Sequence, residues 1–113
     1  MVALLIALFL AGPPRATLDG VPLAVSSWCW GTHCGAPIAA STRTVSVARG
    51  STVTVQLAFE PVSVHVAIAG VPERTVVGTH AVTWRATRAG GVTITATGGK
   101  GWVTYVGRLR IRP

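Results

Sequence analysis

Acidic residues are nearly absent from this sequence. Among its 113 residues only Asp19, Glu60 and Glu73 are acidic, against ten lysines and arginines, and the formal net charge is +7. A glycosidase-type site needs two carboxyl groups that converge on one bond. Each acid here stands alone beside a turn signal, so the sequence disfavours paired-carboxylate catalysis and predicts a basic surface.

The signatures of other common enzyme sites are missing as well. The sequence has no GxSxG nucleophile elbow and no HExxH zinc motif. Gly98–Gly101 (GGKG) has the composition of a phosphate loop, but it joins two strand-like segments without a helix dipole behind it, so we interpret it as a hairpin turn. Alternation predicts a solvated His65 and places His80 at the margin of the core. We therefore predict a protein that is not an enzyme, with no catalytic residue and no cofactor.

Cysteine and methionine are scarce: there are two cysteines, and the single methionine is the initiator. Cys29 and Cys34 are separated by four residues, and Gly31 and Gly35 supply the backbone freedom that a disulfide across such a tight loop needs. The alternative is a soft metal site in which His33 joins the two thiolates. A zinc site normally takes two pairs of ligands, and no second pair exists. We predict the disulfide and no metal site.

No apolar run is long enough to span a membrane. The longest, residues 2–11, would extend about 15 Å as a helix, roughly half of the hydrocarbon core. It has the length of the apolar part of a secretory signal, so we expect a signal-peptide-like segment over residues 1–16, with cleavage after Ala16. A basic residue before the run is missing, and a start further upstream would supply one. We predict an exported protein, extracellular or in the cell envelope, where paired cysteines are expected.

Helical periodicity is absent from residues 17–113, and wherever a period is visible it is two. Val62, for example, is predicted to face the core together with Val64, Val66 and Ile68. Seven alternating segments are separated by turn signals, and they cover residues 21–25, 44–48, 52–59, 62–68, 79–86, 92–97 and 102–111. The pattern predicts one all-β domain, an antiparallel sandwich of about seven strands, and disfavours parallel α/β topologies.

The later part of the sequence resembles bacterial immunoglobulin-like modules. The resemblance is carried by Trp84, by Arg88–Ala96 (RAGGVTITA) and by the final RLRIR of residues 108–112. The segment Ser26–Gly35 (SSWCWGTHCG) is similar to small secreted bacterial proteins that share an aromatic-Cys-Trp motif. The resemblance implies an immunoglobulin-like sandwich over residues 20–113, without the disulfide that joins the sheets of antibody domains. It implies no specific activity, because such folds host many functions.

Two groups of residues are candidates for binding. Trp28 and Trp30 flank Cys29, and we expect them either to cover the disulfide or to form the tip of a binding loop. In the last strand, Val103, Tyr105, Leu109 and Ile111 share one parity. The opposite parity holds Trp102, Arg108, Arg110 and Arg112.

The three arginines have two interpretations. Charges on a terminal strand protect a sheet edge against aggregation. Arginine side chains in a row also form a stripe that binds phosphate or carboxylate groups. A bulge at Gly107 would shift the parity of this strand and separate Trp102 from the arginines.

These observations lead to one predicted function with two alternatives. We predict an exported, non-catalytic binding or structural module of the cell envelope, whose partner is an anionic wall polymer or another envelope protein. Nucleic acid is not expected, because no recognition motif accompanies the positive charge. The alternatives are a cupredoxin-like or metal-handling protein, which would lack the common axial methionine, and a secreted inhibitor of another protein.

Overall fold

The computed structural model describes residues 13–35 and 44–112, which form strands and no helix. In this part of the chain no helix is long and apolar enough to cross a membrane. The strands are β1 (Ala16–Leu18), β2 (Val21–Pro22), β3 (Ala24–Trp30), β4 (His33–Gly35), β5 (Thr44–Ala48), β6 (Thr52–Leu57), β7 (Ser63–Ile68), β8 (Val71–Val77), β9 (Ala81–Arg85), β10 (Gly90–Gly98) and β11 (Gly101–Arg112).

The strands form two sheets. The small sheet has the order β2-β1-β6-β9, and the large sheet has the order β4-β3-β11-β10-β7-β8, with β5 also paired to β11. The all-β prediction is confirmed, and nearly every pair is antiparallel. The exception is the parallel pair of β5 and β11. Because these two strands are distant in sequence, no tight turn dictates their relative direction.

The buried faces of the two sheets share one hydrophobic core. Strand β6 contributes Val53 and Val55, while β7 contributes Val64 and Val66, and all four are inaccessible to solvent. Strict alternation puts the polar residues between them on the opposite faces of the sheets. Each such fully buried valine stabilises the fold by about 1.5–3 kcal/mol.

The described part of the chain has eleven strands, not seven. Strands β1 and β4 have three residues each and are too short to show a period. The predicted segment of residues 21–25 is divided between β2 and β3, and β3 continues to Trp30. Strand β8 contains Pro72 and Glu73, residue types that are uncommon in strands. Proline is tolerated in β8 because this strand lies at the edge of the large sheet. The prediction that Val62 faces the core is wrong: its side chain is 61% exposed. Strand β7 begins only at Ser63, and parity does not extend beyond a strand.

The fold includes residues on the N-terminal side of the predicted boundary between residues 16 and 17. Ala16 is 3% exposed and pairs with Leu57 of β6. The backbone oxygen of Arg15 accepts a hydrogen bond from the amide of Ala58 at 2.9 Å. Residues 14–16 therefore take part in the folded domain, whereas the predicted apolar run of residues 2–11 lies outside the described residues.

Candidate anion-binding face

The two cysteines lie opposite each other in a β-hairpin. Strands β3 and β4 pair Cys29 with Cys34, and the sulfur atoms are bonded at 2.04 Å with the Cα atoms 4.0 Å apart. The turn between the strands uses Gly31 with a φ of 65°, in the left-handed region that glycine adopts without strain. The predicted disulfide is confirmed. Within residues 13–35 and 44–112, no group of three or more His, Cys, Asp or Glu side chains is placed to hold a metal.

Trp28 and Trp30 pack on the core side of β3. The ring of Trp30 meets the ring of Phe59 edge to face, with centroids 4.9 Å apart. The indole of Trp28 lies against Gly35, where a Cβ atom would come within 2.3 Å of the ring. Cys29 projects to the opposite face, because side chains alternate along a strand. Neither tryptophan therefore covers the disulfide, and both rings pack against the hydrophobic core.

Trp102 lies on the outer face of the large sheet, the face turned away from the core. It is the cross-strand partner of Cys29, and its side chain is 37% exposed. The neighbouring Val103 is fully buried, which fixes the orientation of the strand. Among the described residues, Trp102 is the most exposed aromatic side chain. The outer face thus carries an accessible indole beside the disulfide.

Arg108, Arg110 and Arg112, here called the arginine row, lie on the same outer face. All three are exposed, while Leu109 between them is buried. Residues two apart along a strand place their side chains about 7 Å apart on one face. The sequence predicted this alternation, and the structure has it.

Gly107 does not shift the parity of β11. The irregularity in pairing lies in β3, between the partners of Thr104 and Tyr105, so the extra residue belongs to β3. Gly107 has a packing role instead, since a Cβ atom there would come within 2.5 Å of the Leu23 side chain. Trp102 and the arginine row consequently share one face along the whole of β11.

Edge protection does not account for the arginine row as a whole. Strand β11 has β10 on one side as far as the pair Gly90–Leu109. On its other side it has β3 and then β5, which pairs from Arg108 to Arg112. Arg108 therefore lies in the interior of the sheet. Only Arg110 and Arg112 extend past the start of β10, and within the described residues no strand pairs with that side of β11 there.

A shallow depression of about 560 Å³ adjoins Arg108 and Arg110. It lies where β10 begins at Gly90, and β5 presents only small side chains there. Its other lining residues are Thr44, Ser46, Ala89 and Leu109. These residues could not be assigned to the site from the sequence, because the parallel pairing of β5 with β11 joins segments that are distant in the chain.

No carboxylate lies on the strands around the arginine row. Strands β3, β4, β5, β7, β10 and β11 contain no acidic residue, and Glu73 belongs to β8 at the far edge of the large sheet. Asp19 belongs to a turn beside the small sheet, where its Oδ1 accepts a hydrogen bond from the amide of Thr54 at 2.8 Å. The positive charge of the row is therefore not neutralised by an acidic residue of these strands.

Comparison with protein families, with curated proteins and with solved structures finds no match to this chain. What the protein binds has to be inferred from the residues of the face itself. The outer face combines the arginine row, the depression beside it and the accessible indole of Trp102.

Apart from the arginine row, the outward side chains of β10 and β11 are uncharged and rich in hydroxyl groups. The side-chain oxygens of Thr95 and Thr104 lie 3.3 Å apart on neighbouring strands. The exposed His65 on β7 has its Nδ1 2.9 Å from the Thr75 hydroxyl.

The prediction that His80 lies at the margin of the core is wrong, since this residue is exposed in the loop before β9. The backbone oxygen of His80 accepts a hydrogen bond from the amide of Leu57 at 2.8 Å.

Proposed function

We propose that this protein is an exported, non-catalytic binding module of the cell envelope, with an immunoglobulin-like sandwich fold. Its ligand is an anionic polymer, bound on the outer face of the large sheet. The observation that carries the proposal is the arginine row, three exposed guanidinium groups on one face of β11 with no acidic residue on the neighbouring strands.

The chemistry of the row suits a repeating anion. A guanidinium group presents a planar fork of donors that matches a carboxylate or phosphate, and it stays charged at every physiological pH. A side-chain spacing of about 7 Å lets one extended polymer meet successive arginines, whereas scattered arginines would meet it singly. Contacts of this kind are screened by salt, over a Debye length of about 10 Å at 0.1 M.

The compartment is part of the proposal. The Cys29–Cys34 bridge is expected in an oxidising environment, and the apolar run of residues 2–11 resembles an export signal. In such a compartment the abundant polyanions are wall polymers and acidic polysaccharides. A carboxylate-rich surface of another envelope protein would offer the same chemistry without the repeat.

The proposal is tested by measuring the binding of the purified chain to soluble anionic and neutral polymers over a range of salt concentrations. We expect binding to the anionic polymers only, with an affinity that falls steeply as salt rises, because several ion contacts break together. Equal binding to a neutral polymer, or binding that is independent of salt, would contradict a site built on the arginine row.

A further inference from the structure

We infer that the anionic polymer is an acidic polysaccharide and that Trp102 is its second point of contact on the outer face. The inference rests on the proposed function of the arginine row, and it identifies the substrate class. Three observations carry it: the shared face of Trp102 and the row, the hydroxyl-rich surface between them, and the depression beside Arg108 and Arg110.

Trp102 and the arginine row lie on one line. Both belong to β11 and share its outer parity, and Arg108 lies six positions after Trp102, which corresponds to about 20 Å along a strand. Between them the strand presents Thr104 and Val106, which are small side chains. One extended chain lying along β11 can therefore contact the indole and the guanidinium groups together.

The groups along this line are those that recognise a sugar. An exposed indole offers a large rigid surface, against which the C–H side of a sugar ring packs, and its N–H remains available to a polar group. Thr95 and Thr104 bring two hydroxyl groups together beside the line, and Thr93 and Thr97 are exposed on the same face of β10. Hydroxyl groups both donate and accept hydrogen bonds, as sugar hydroxyl groups require. A polyanion without rings would use the arginine row and would gain nothing from Trp102.

The depression provides a place for the acidic substituent. It is lined by Arg108 and Arg110 together with the hydroxyl-bearing Thr44 and Ser46, so a carboxylate that enters it meets charged and neutral donors. Its volume of about 560 Å³ leaves room for the sugar ring that carries this carboxylate. The polymer proposed here is consequently one that has an acid on its rings, such as a polyuronate.

The test compares two polyanions and two variants of Trp102. The probes are a galacturonate decamer, the two-residue digalacturonate, here called the dimer, and inorganic polyphosphate, which has charge but no ring. We expect Trp102→Ala to weaken binding of the decamer roughly tenfold, because the substitution removes an aromatic contact. Polyphosphate binding should stay unchanged, and so should binding of the dimer, which is too short to reach from the arginine row to Trp102. Trp102→Phe should keep most of the decamer affinity, and thermal unfolding checks that both variants are folded.

The outcomes separate this inference from the proposed function. If the decamer and polyphosphate bind the parent and Trp102→Ala changes neither affinity, the polysaccharide inference is overturned while the arginine row stands. Equal losses for the decamer and for polyphosphate in a folded variant would likewise overturn it, since Trp102 would then act on the face without contacting a ring. If neither probe binds the parent chain, the proposed function itself fails.

Discussion

The hydroxyl of Tyr105 donates a hydrogen bond of 2.7 Å to the backbone oxygen of Pro14. Tyr105 belongs to β11 in the large sheet and is fully buried, while Pro14 precedes β1 of the small sheet. One side chain thus ties the start of the described chain to the strand that carries the arginine row. Burial also raises the pKa of this phenol well above its ordinary value of 10.

The phenol should make stability depend on pH. Because the pKa of Tyr105 is raised in the folded state, its contribution is fully present below the unfolded pKa of about 10 and is lost as pH rises above it. We expect the free energy of unfolding to fall by about 1.4 kcal/mol per pH unit in this range. Tyr105 is the only tyrosine, so phenolate absorbance reports this group alone. The folded chain should show no phenolate at a pH where the denatured chain has ionised.

Tyr105→Phe is the matched control for this titration. The variant should lose the part of the pH dependence that the phenol causes, and its unfolding free energy at neutral pH should fall by about 1–2 kcal/mol because the buried hydrogen bond is removed. Ionisation of the native phenol at pH 10, or an unchanged pH profile in the variant, would count against the buried contact with Pro14.

A chain that begins at Thr17 should be less stable than one that begins at Pro13. The shorter chain lacks the oxygens of Pro14, Arg15 and Ala16, which accept hydrogen bonds from Tyr105, Ala58 and Leu23, respectively. Tyr105 and Leu23 are buried, so the loss of each of their acceptors costs about 1–3 kcal/mol, and urea unfolding should register a difference of about 2–6 kcal/mol. For the same reason we expect sequencing of exported material to place its N-terminus before Pro14. Equal stability of the two chains would leave cleavage after Ala16 acceptable.

Substitution of Gly35 should destabilise the hairpin that carries the disulfide. A Cβ atom at this position would lie 2.3 Å from the indole of Trp28, so Gly35→Ala forces the ring to move and should cost about 1–3 kcal/mol. Gly99→Ala is the matched control, because nothing lies within 4 Å of a Cβ atom there. Urea unfolding of both variants measures the difference. A loss of stability at Gly99 that matches the loss at Gly35 would show that the close approach of Trp28 is not the cause.

The disulfide should be fully formed and should contribute modestly to stability. Thiol titration of the denatured, unreduced chain is expected to find no free thiol, since Cys29 and Cys34 are bonded. Replacement of both by serine should lower the unfolding free energy by about 2 kcal/mol, the small value that the chain-entropy model gives for so short a loop. Two titratable thiols would refute the bridge and restore the metal-site alternative.

The sequence predicted those features that depend on local alternation. In β6 and β11 the buried and exposed residues follow a period of two, so the inward positions of Val53 and Leu109 and the outward positions of the arginine row could be assigned before the fold was known. The Cys29–Cys34 disulfide could also be predicted from the sequence, because both cysteines lie in one short segment.

Features that depend on contacts between distant segments could not be predicted. The depression beside Arg108 needs the parallel pairing of β5 with β11, and no turn between those strands encodes it. Strand β8 is held by backbone bonds at a sheet edge, where Pro72 and Glu73 are tolerated despite their low strand propensity. The role of Pro14 depends on Tyr105, whose position in sequence gives no sign of that contact.

The central claim is that the arginine row, and not the overall positive charge, binds the polymer. The direct test compares the triple variant Arg108→Gln, Arg110→Gln, Arg112→Gln with a control in which Arg15, Arg74 and Arg85 are changed to Gln. Each variant removes three positive charges from a formal net charge of +7. The control residues are exposed away from the row: Arg74 in the edge strand β8, Arg85 in the small sheet and Arg15 before β1.

The measurement is retention of each folded variant on an immobilised polyuronate, eluted with a salt gradient. The account predicts that the variant of the arginine row elutes at the lowest salt, while the control stays close to the parent chain. Two results would contradict this account. Equal shifts of the two variants would make net charge alone responsible. Elution of the arginine-row variant at the salt concentration of the parent would show that the row does not bind the polymer.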